Sequence, residues 1–199
     1  MKLNDREFKA MNTPLRWWIQ ENVEFEVFKR HLRKYNIDIK NSVILDVGCG
    51  SGFSTKLISQ EFAPRRLVAF DFMPEQIELA KNKNIQAEFS VGDSTNINMP
   101  SSTFDAVFVM GVLHHIPEWK KAIREISRVL KPDGLLLVEE PSKFLLFLAD
   151  IVRYTHPKEA KTFWNEFENE LKASGFNVLS REIVLLCLGQ SFLLKKQEK

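Results

Sequence analysis

The chain has 199 residues, 44% of them hydrophobic and 27% charged, a balance that fits one globular domain with a sizeable core. Its formal net charge of +2 is too small to imply nucleic acid or an anionic membrane as an obligate partner. The two cysteines, Cys49 and Cys187, stand in no C-x-x-C or His-rich context, which excludes a zinc motif and leaves no metal ligand set.

The N-terminal stretch MKLNDREFKAMN lacks the apolar run of a signal peptide. Thr13-Pro14 looks like a cap followed by proline at the first helical position, opening a short helix with Leu15, Trp18 and Ile19. A second helix follows, with Phe25, Phe28, Leu32 and Tyr35 as its apolar stripe. Residues 1–42 thus form a helical lead-in to a core spanning 43–199. The first core strand is Val43 to Val47; a Gly-rich turn and a helix through Phe53, Leu57, Ile58 and Phe62 come next. The second strand ends at Phe70, the third runs from Ala87 to Val91, and the fourth is Phe104 to Met110.

Pro117 opens the clearest helix, with Trp119, Ala122, Ile123, Ile126, Val129 and Leu130 at helical spacing, and Pro132, Asp133 and Gly134 stop it. The fifth strand is Leu135 to Glu139. The apolar stretch Phe144 to Val152 is broken by Asp150 and falls short of the roughly 20 residues of a membrane helix. A helix from Phe163 to Ala173 has Thr162 as its N-cap and Gly175 past its end. Strands Phe176 to Val184 and Ser191 to Lys195 close the chain as an antiparallel hairpin, and Lys195, Lys196 and Lys199 read as a solvated tail. Strands alternating with helices predict a single α/β domain, a doubly wound, mainly parallel sheet with helices on both faces. The expectation is a soluble, cytoplasmic protein.

The chemistry concentrates at the carboxyl ends of the strands, where ligands of open α/β sheets bind. Asp46-Val47-Gly48-Cys49-Gly50-Ser51-Gly52 gives a tight turn with room for a ligand against the backbone. Alone it fits a dinucleotide diphosphate, or only a turn. Asp46 just before the glycines suits a positively charged ligand better than phosphates. Asp71 ends the second strand, where a carboxylate accepts ribose hydroxyls; an NAD enzyme also places an acid there. Gly92-Asp93-Ser94 adds a third acid. Three acids converging on one cleft favour a cationic nucleoside, such as a sulfonium.

At these residues the chain resembles the class I S-adenosylmethionine-dependent methyltransferases, in the branch of small methyltransferase-domain proteins. VILDVGCGSG resembles the first motif, VAFDFMPEQIELAK the second, VGDSTNINMP the third, and FDAVFVMGVLHHI and VLKPDGLLLVEEP those around strands four and five. The resemblance covers Val43 to Pro141, and since the small-domain relatives often start near the equivalent of Met11 it implies that Met1 to Ala10 is an extension. It implies a Rossmann-like seven-stranded sheet with its last strand antiparallel, S-adenosylmethionine as cofactor and S-adenosylhomocysteine as product. By the same resemblance Asp46, Gly48, Cys49, Gly50 and Gly52 form the methionine-side loop. Asp71 binds the ribose, Phe72 and Met73 flank the adenine, and Asp93 binds the adenine edge with Ser94 in support. Met110 lies beside the methionine part.

The family has no universal catalytic residue, so none carries over. His115 is a candidate to accept a proton from an acceptor hydroxyl or amine, with a structural role for His114 and His115 as the alternative. Glu140 is a candidate to face the acceptor, with capping as the alternative. Tyr154 and His156 are candidates for the entrance. Cys49 reads as a small loop residue, since nothing nearby depresses its pKa. Trp17 and Trp18, with Phe25 and Phe28, form either an aromatic lid over the acceptor or part of the core. The leading expectation is methyl transfer to a small molecule. A protein or RNA methyltransferase, a non-catalytic S-adenosylmethionine-binding protein and an NAD-dependent oxidoreductase stay open, as does the oligomeric state.

Overall fold

Strand β1 (Val43–Val47) is buried along its whole length and runs parallel to β2 (Arg66–Asp71) on one side and β4 (Phe104–Met110) on the other. β3 (Glu88–Val91) extends the sheet beyond β2, and β5 (Leu130–Pro141) lies beside β4, both in parallel register. β7 (Gly189–Lys196) inserts between β5 and β6 (Phe176–Val184) and is antiparallel to both. The order is β3-β2-β1-β4-β5-β7-β6, the doubly wound sheet with one reversed strand that the motifs implied. The computed structural model describes residues 5–142, 164–184 and 189–198.

Alternation along the central strands divides the core into two layers. On one face Val107, Val109, Leu136 and Val138 meet α6 (Trp119–Val129) and α7 (Trp164–Ala173). The α6 side chains Trp119, Ala122, Ile123, Ile126 and Val129 are all buried, as their 3.6-residue spacing demands. On the other face Ala106, Phe108, Leu135 and Leu137 meet α3 (Phe25–Lys34) and α4 (Phe53–Phe62). Phe25 and Phe28 are core residues there, with ring centroids 6.5 and 5.6 Å from Phe108. α5 (Pro74–Lys81) follows β2, with proline in its first turn.

Several boundaries differ from the sequence expectation. α1 (Asp5–Met11) gives the supposed extension a helix. α2 (Pro14–Ile19) is capped as foreseen, its Thr13 Oγ1 accepting the Arg16 N–H at 3.3 Å. It does not end before α3: a π turn, Gln20–Glu24, joins the two into one helical run. α6 starts at Trp119, not at Pro117, and Leu130 belongs to the strand rather than the helix. β5 begins there because Leu130 pairs with Phe104 before the register shifts at Lys131–Gly134 and resumes at Leu135. Lys195 and Lys196 are not a free tail. Both lie in β7, where Lys195 pairs with Asp133 and Lys196 donates to the Leu130 carbonyl. Thr162, Phe163, Phe144 to Val152, Tyr154, His156, Cys187 and Lys199 lie outside the described residues.

Candidate functional site

The carboxyl ends of β1, β2, β3 and β4 open on a cleft of about 350 Å³. Its first wall is the loop after β1. Gly48 and Gly50 have φ of +68° and +52°, and a Cβ on Gly48 would lie 2.5 Å from Val112 Cγ2, so only glycine fits the first of these positions. Four of the loop's amides are taken up within the protein, three of them by the end of β2. Gly48 and Cys49 N–H donate to the Phe70 carbonyl, Gly50 N–H to Asp71 Oδ2, and Gly52 N–H to the Cys49 carbonyl. A diphosphate cradle needs such amides turned outward, and these four are not. Cys49 is buried, and burial together with Asp46 and Asp71 pushes its thiol well above the usual range.

Asp71 closes the end of β2. Its Oδ2 and Oδ1 accept the Gly50 and Met73 N–H groups, each at 2.9 Å, which fixes the carboxylate and leaves a lone pair on each oxygen for a ligand. Burial raises its pKa, and those two N–H bonds oppose the rise. Beside it Phe72 is half exposed and Met73 is buried. Asp93 is held by the Thr95 N–H and hydroxyl, both on Oδ1, at 2.8 and 2.9 Å. Ser94 and Thr95 are buried next to it. The wall therefore offers fixed carboxylates, suited to hydroxyl, amine or cationic groups.

The facing wall starts at the end of β4. Met110 is buried, and its Sδ lies 3.8 Å from Gln20 Nε2 of the π turn. Val112 and a single 3₁₀ turn, Leu113–His115, follow. Glu140, near the end of β5, organises this turn. Its Oε1 accepts the Val112 and Leu113 N–H groups at 3.0 and 2.7 Å, and its Oε2 accepts the His114 N–H at 3.2 Å and lies 2.8 Å from His114 Nδ1. Burial lifts its pKa to about 7 against these backbone bonds. The turn so held brings His115 to the cleft, its ring centroid 4.0 Å from that of His114. Behind Gln20 lies a buried charge cluster. Arg16 donates to Glu24 Oε2 at 2.9 Å, and burial raises the pKa values of Glu24 and of Glu139, which repel each other.

The structure brings Gly48, Cys49, Gly50, Asp71, Phe72, Met73, Asp93, Ser94, Met110 and His115 around one cleft. It does not bring Asp46, Gly52 or Glu140 to that surface. Asp46 is buried beneath the loop, where its Oδ2 accepts the Ser54 and Thr55 hydroxyls, each at 2.7 Å. Burial raises its pKa to about 6, against the bonds from the two hydroxyls. Gly52 is the left-handed cap of α4, packed on Ala80. Glu140 faces the 112–114 backbone rather than an acceptor. Leu15, Trp18 and Ile19 were the expected covering face of α2; Leu15 and Trp18 instead face solvent, and Trp17 and Gln20 line the cleft. Trp17 stacks on Phe53 at 5.6 Å and 9° between planes. Only the π turn, which shifts the helical face, separates the observed side from the expected one, and no local motif announces it.

Residues 45–138 match the family model described as a methyltransferase domain. Over that span the chain is similar to the class I S-adenosylmethionine-dependent methyltransferases, and its sheet has their fold. The cofactor of this methyltransferase family is S-adenosylmethionine, and a cleft with fixed carboxylates and no outward-turned diphosphate amides at Gly48 to Gly50 and Gly52 fits it. Among solved structures, an S-adenosylmethionine-dependent methyltransferase from Aquifex aeolicus aligns over 98% of this chain and 100% of its own, with a TM-score of 0.75 and 21% identity. The cyclase SpnF shares the fold with a TM-score of 0.70 at 20% identity over 87% of this chain and 81% of its own. A demethylmenaquinone methyltransferase of Renibacterium salmoninarum is 33% identical over 115 residues, 56% of this chain and 48% of that protein. A probable tRNA methyltransferase 9B of Homo sapiens is 35% identical over 100 residues, 49% of this chain and 21% of that protein. The chain spans between a fifth and a half of the length of these curated relatives. No helix among the described residues is long and apolar enough to cross a membrane.

Proposed function

We propose that this protein transfers a methyl group from S-adenosylmethionine to a small-molecule acceptor. The observation that carries the reading is the cleft itself: fixed carboxylates on one wall, and Met110, Trp17, Val112 and Ile116 with one histidine on the other. S-adenosylmethionine, when bound, supplies a methyl group on a positively charged sulfur, so the protein's work is to bind, orient and exclude water. In this reading Asp71 accepts the ribose hydroxyls, Asp93 the adenine amine with Ser94 in support, and Phe72 and Met73 flank the base. Gly48, Cys49 and Gly50 give the amino-acid end its close approach, and Met110 borders the sulfur. Asp46 and Gly52 act beneath the loop, holding its shape.

His115 takes the acceptor's proton where the acceptor carries one, and Glu140 positions it by clamping the turn. A mainly apolar second wall suits an apolar or aromatic acceptor, and matched relatives include methyltransferases named for quinones and for a fatty acid. A relative named for tRNA makes a polynucleotide the alternative to be tested.

S-adenosylhomocysteine at 100 times its dissociation constant should stabilise the fold by about 2.7 kcal/mol, a melting shift of roughly 5–11 °C for a domain of this size. NAD at matched concentration should give none. No shift with S-adenosylhomocysteine or S-adenosylmethionine would remove the reading. Label from the cofactor methyl group should then enter the low-molecular-weight fraction of a cell extract; label confined to its tRNA or protein would replace the small-molecule acceptor.

A further inference from the structure

We propose that Trp17 is a binding residue for the cofactor: its indole N–H donates to the carboxylate of the ligand's amino-acid end, making α2 part of the cofactor site. The proposal rests on the cofactor reading above. It starts from an unused donor. Trp17 lines the cleft, yet its Nε1 is buried and has no hydrogen-bond partner among the described residues. A buried donor without an acceptor destabilises the fold, and native proteins rarely keep one without a use.

The ring is also held in place by the cofactor wall. Its plane lies 9° from that of Phe53, the first residue of α4, and Lys83 Nζ sits 4.7 Å from its centroid. The same ammonium donates to Ser51 Oγ at 3.0 Å. Residues 51, 53 and 83 therefore fix an N–H of the N-terminal helix at the edge of the glycine loop. A side chain serving only the acceptor, or only the core, gives no reason for that clamp.

The charge distribution selects the ligand atom. Gly48, Cys49, Gly50 and Gly52 have spent their amides on Phe70, Asp71 and Cys49, so those four have none left for an anion. Asp71 and Asp93 repel a carboxylate and attract hydroxyls and amines. The Trp17 N–H, with the Lys83 cation beside it, marks the end of the cleft that favours a negative group. A ligand with a ribose and an amine at one end and a carboxylate at the other is oriented by this difference.

The test compares two ligands on wild type and W17F, a variant that keeps an aromatic ring between Phe53 and Lys83 but removes the N–H. S-adenosylhomocysteine carries the amino-acid end; 5′-methylthioadenosine has the same nucleoside without it. In calorimetry W17F should bind S-adenosylhomocysteine at least about 10-fold more weakly and methylthioadenosine within about twofold of wild type. Equal affinity of W17F and wild type for S-adenosylhomocysteine overturns the proposal, as does an equal loss for both ligands, which would make Trp17 packing alone. A measurement on the wild-type chain covers a W17F that does not fold. In ¹⁵N-tryptophan-labelled protein, the indole proton that shows through-space contacts to the Phe53 ring should move downfield with S-adenosylhomocysteine and stay put with methylthioadenosine. An unmoved resonance under saturating S-adenosylhomocysteine refutes the bond. Wild type that binds neither compound refutes the cofactor reading itself, a distinct result.

Discussion

Along the glycine-loop wall each functional group sits at or just after the end of a parallel strand, and groups a few residues away or on the next strand hold it. Gly50 N–H and Met73 N–H fix Asp71, and Thr95 fixes Asp93. The facing wall is assembled across the chain. Gln20 meets Met110 over 90 positions, and Glu140 reaches back 26 to 28 positions to hold the 112–114 turn. Strand ends in a parallel sheet are positioned by the sheet and need little further support, so the first wall is rigid by construction. A turn that no sheet fixes needs an internal anchor, and here one buried carboxylate supplies it. The two walls touch where Gly48 packs against Val112.

The largest effect is expected where that anchor is removed. E140A leaves the Val112, Leu113 and His114 N–H groups without their acceptor, at a cost of at least about 3 kcal/mol, or roughly 6–12 °C in melting temperature. Methyl transfer should fall with it, because His115 loses its support. A melting point within about 2 °C of wild type would show that the turn holds itself and that the two walls do not differ in this way. Next comes the contact between the walls. G48A puts a side chain at φ +68° and 2.5 Å from Val112 Cγ2. Strain and overpacking together should cost about 2–3 kcal/mol by chemical denaturation, and V112A in that background should recover part of it. No recovery would mean the loop distorts away from Val112 rather than against it.

The same contrast decides how much was legible beforehand. The sheet, its reversed strand and the first wall could be read because each motif is contiguous: a strand, its turn and its acid lie within a few residues, as in Asp71-Phe72-Met73. Trp17 could be named together with Trp18 as lid or core but not told apart from it, and Gln20 could not be assigned to the cleft at all, because the π turn at Gln20–Glu24 rotates the helical face that simple 3.6-residue spacing would present. Glu140 could be singled out from its neighbour Glu139, but the sequence leaves its role open between facing the acceptor and capping, since strand alternation separates the two side chains without saying which face meets the turn. Asp46 was visible as an acid at the loop, but its burial depends on where Ser54 and Thr55 turn back on it.

Within the first wall, Asp71 should matter for binding. D71A removes acceptors for ribose hydroxyls, a loss of about 1.5–3 kcal/mol for bonds to a charged group, or roughly 10- to 150-fold in S-adenosylhomocysteine affinity. D71N should lose less, since its amide oxygen still accepts. Calorimetry with unchanged affinity for D71A would take Asp71 out of the site.

The smallest effect is expected one layer deeper, at Asp46. Both hydroxyl bonds to Asp46 fall on Oδ2, and an asparagine oxygen in that place accepts the same two hydrogens. The carboxylate has no cation against it among the described residues and is fully buried, so its charge is a burden rather than a contribution. D46N should therefore stay within about 1 kcal/mol of wild type near pH 7 and bind S-adenosylhomocysteine within about threefold. The pH profile gives the sharper reading. Burial raises the folded pKa of Asp46 to about 6 from an ordinary 3.8, so between those values the folded state holds the proton more tightly than the unfolded chain. Its contribution is most favourable below pH 3.8, is lost as pH rises towards 6, and is constant above. Urea unfolding of wild type and D46N from pH 4 to 7 should show stability of the variant gaining on wild type across that window and running parallel above it. A constant difference at all pH values would mean that Asp46 is not carrying a raised pKa. A large affinity loss in D46N would place its charge on the ligand, in the first wall with Asp71 and not beneath it.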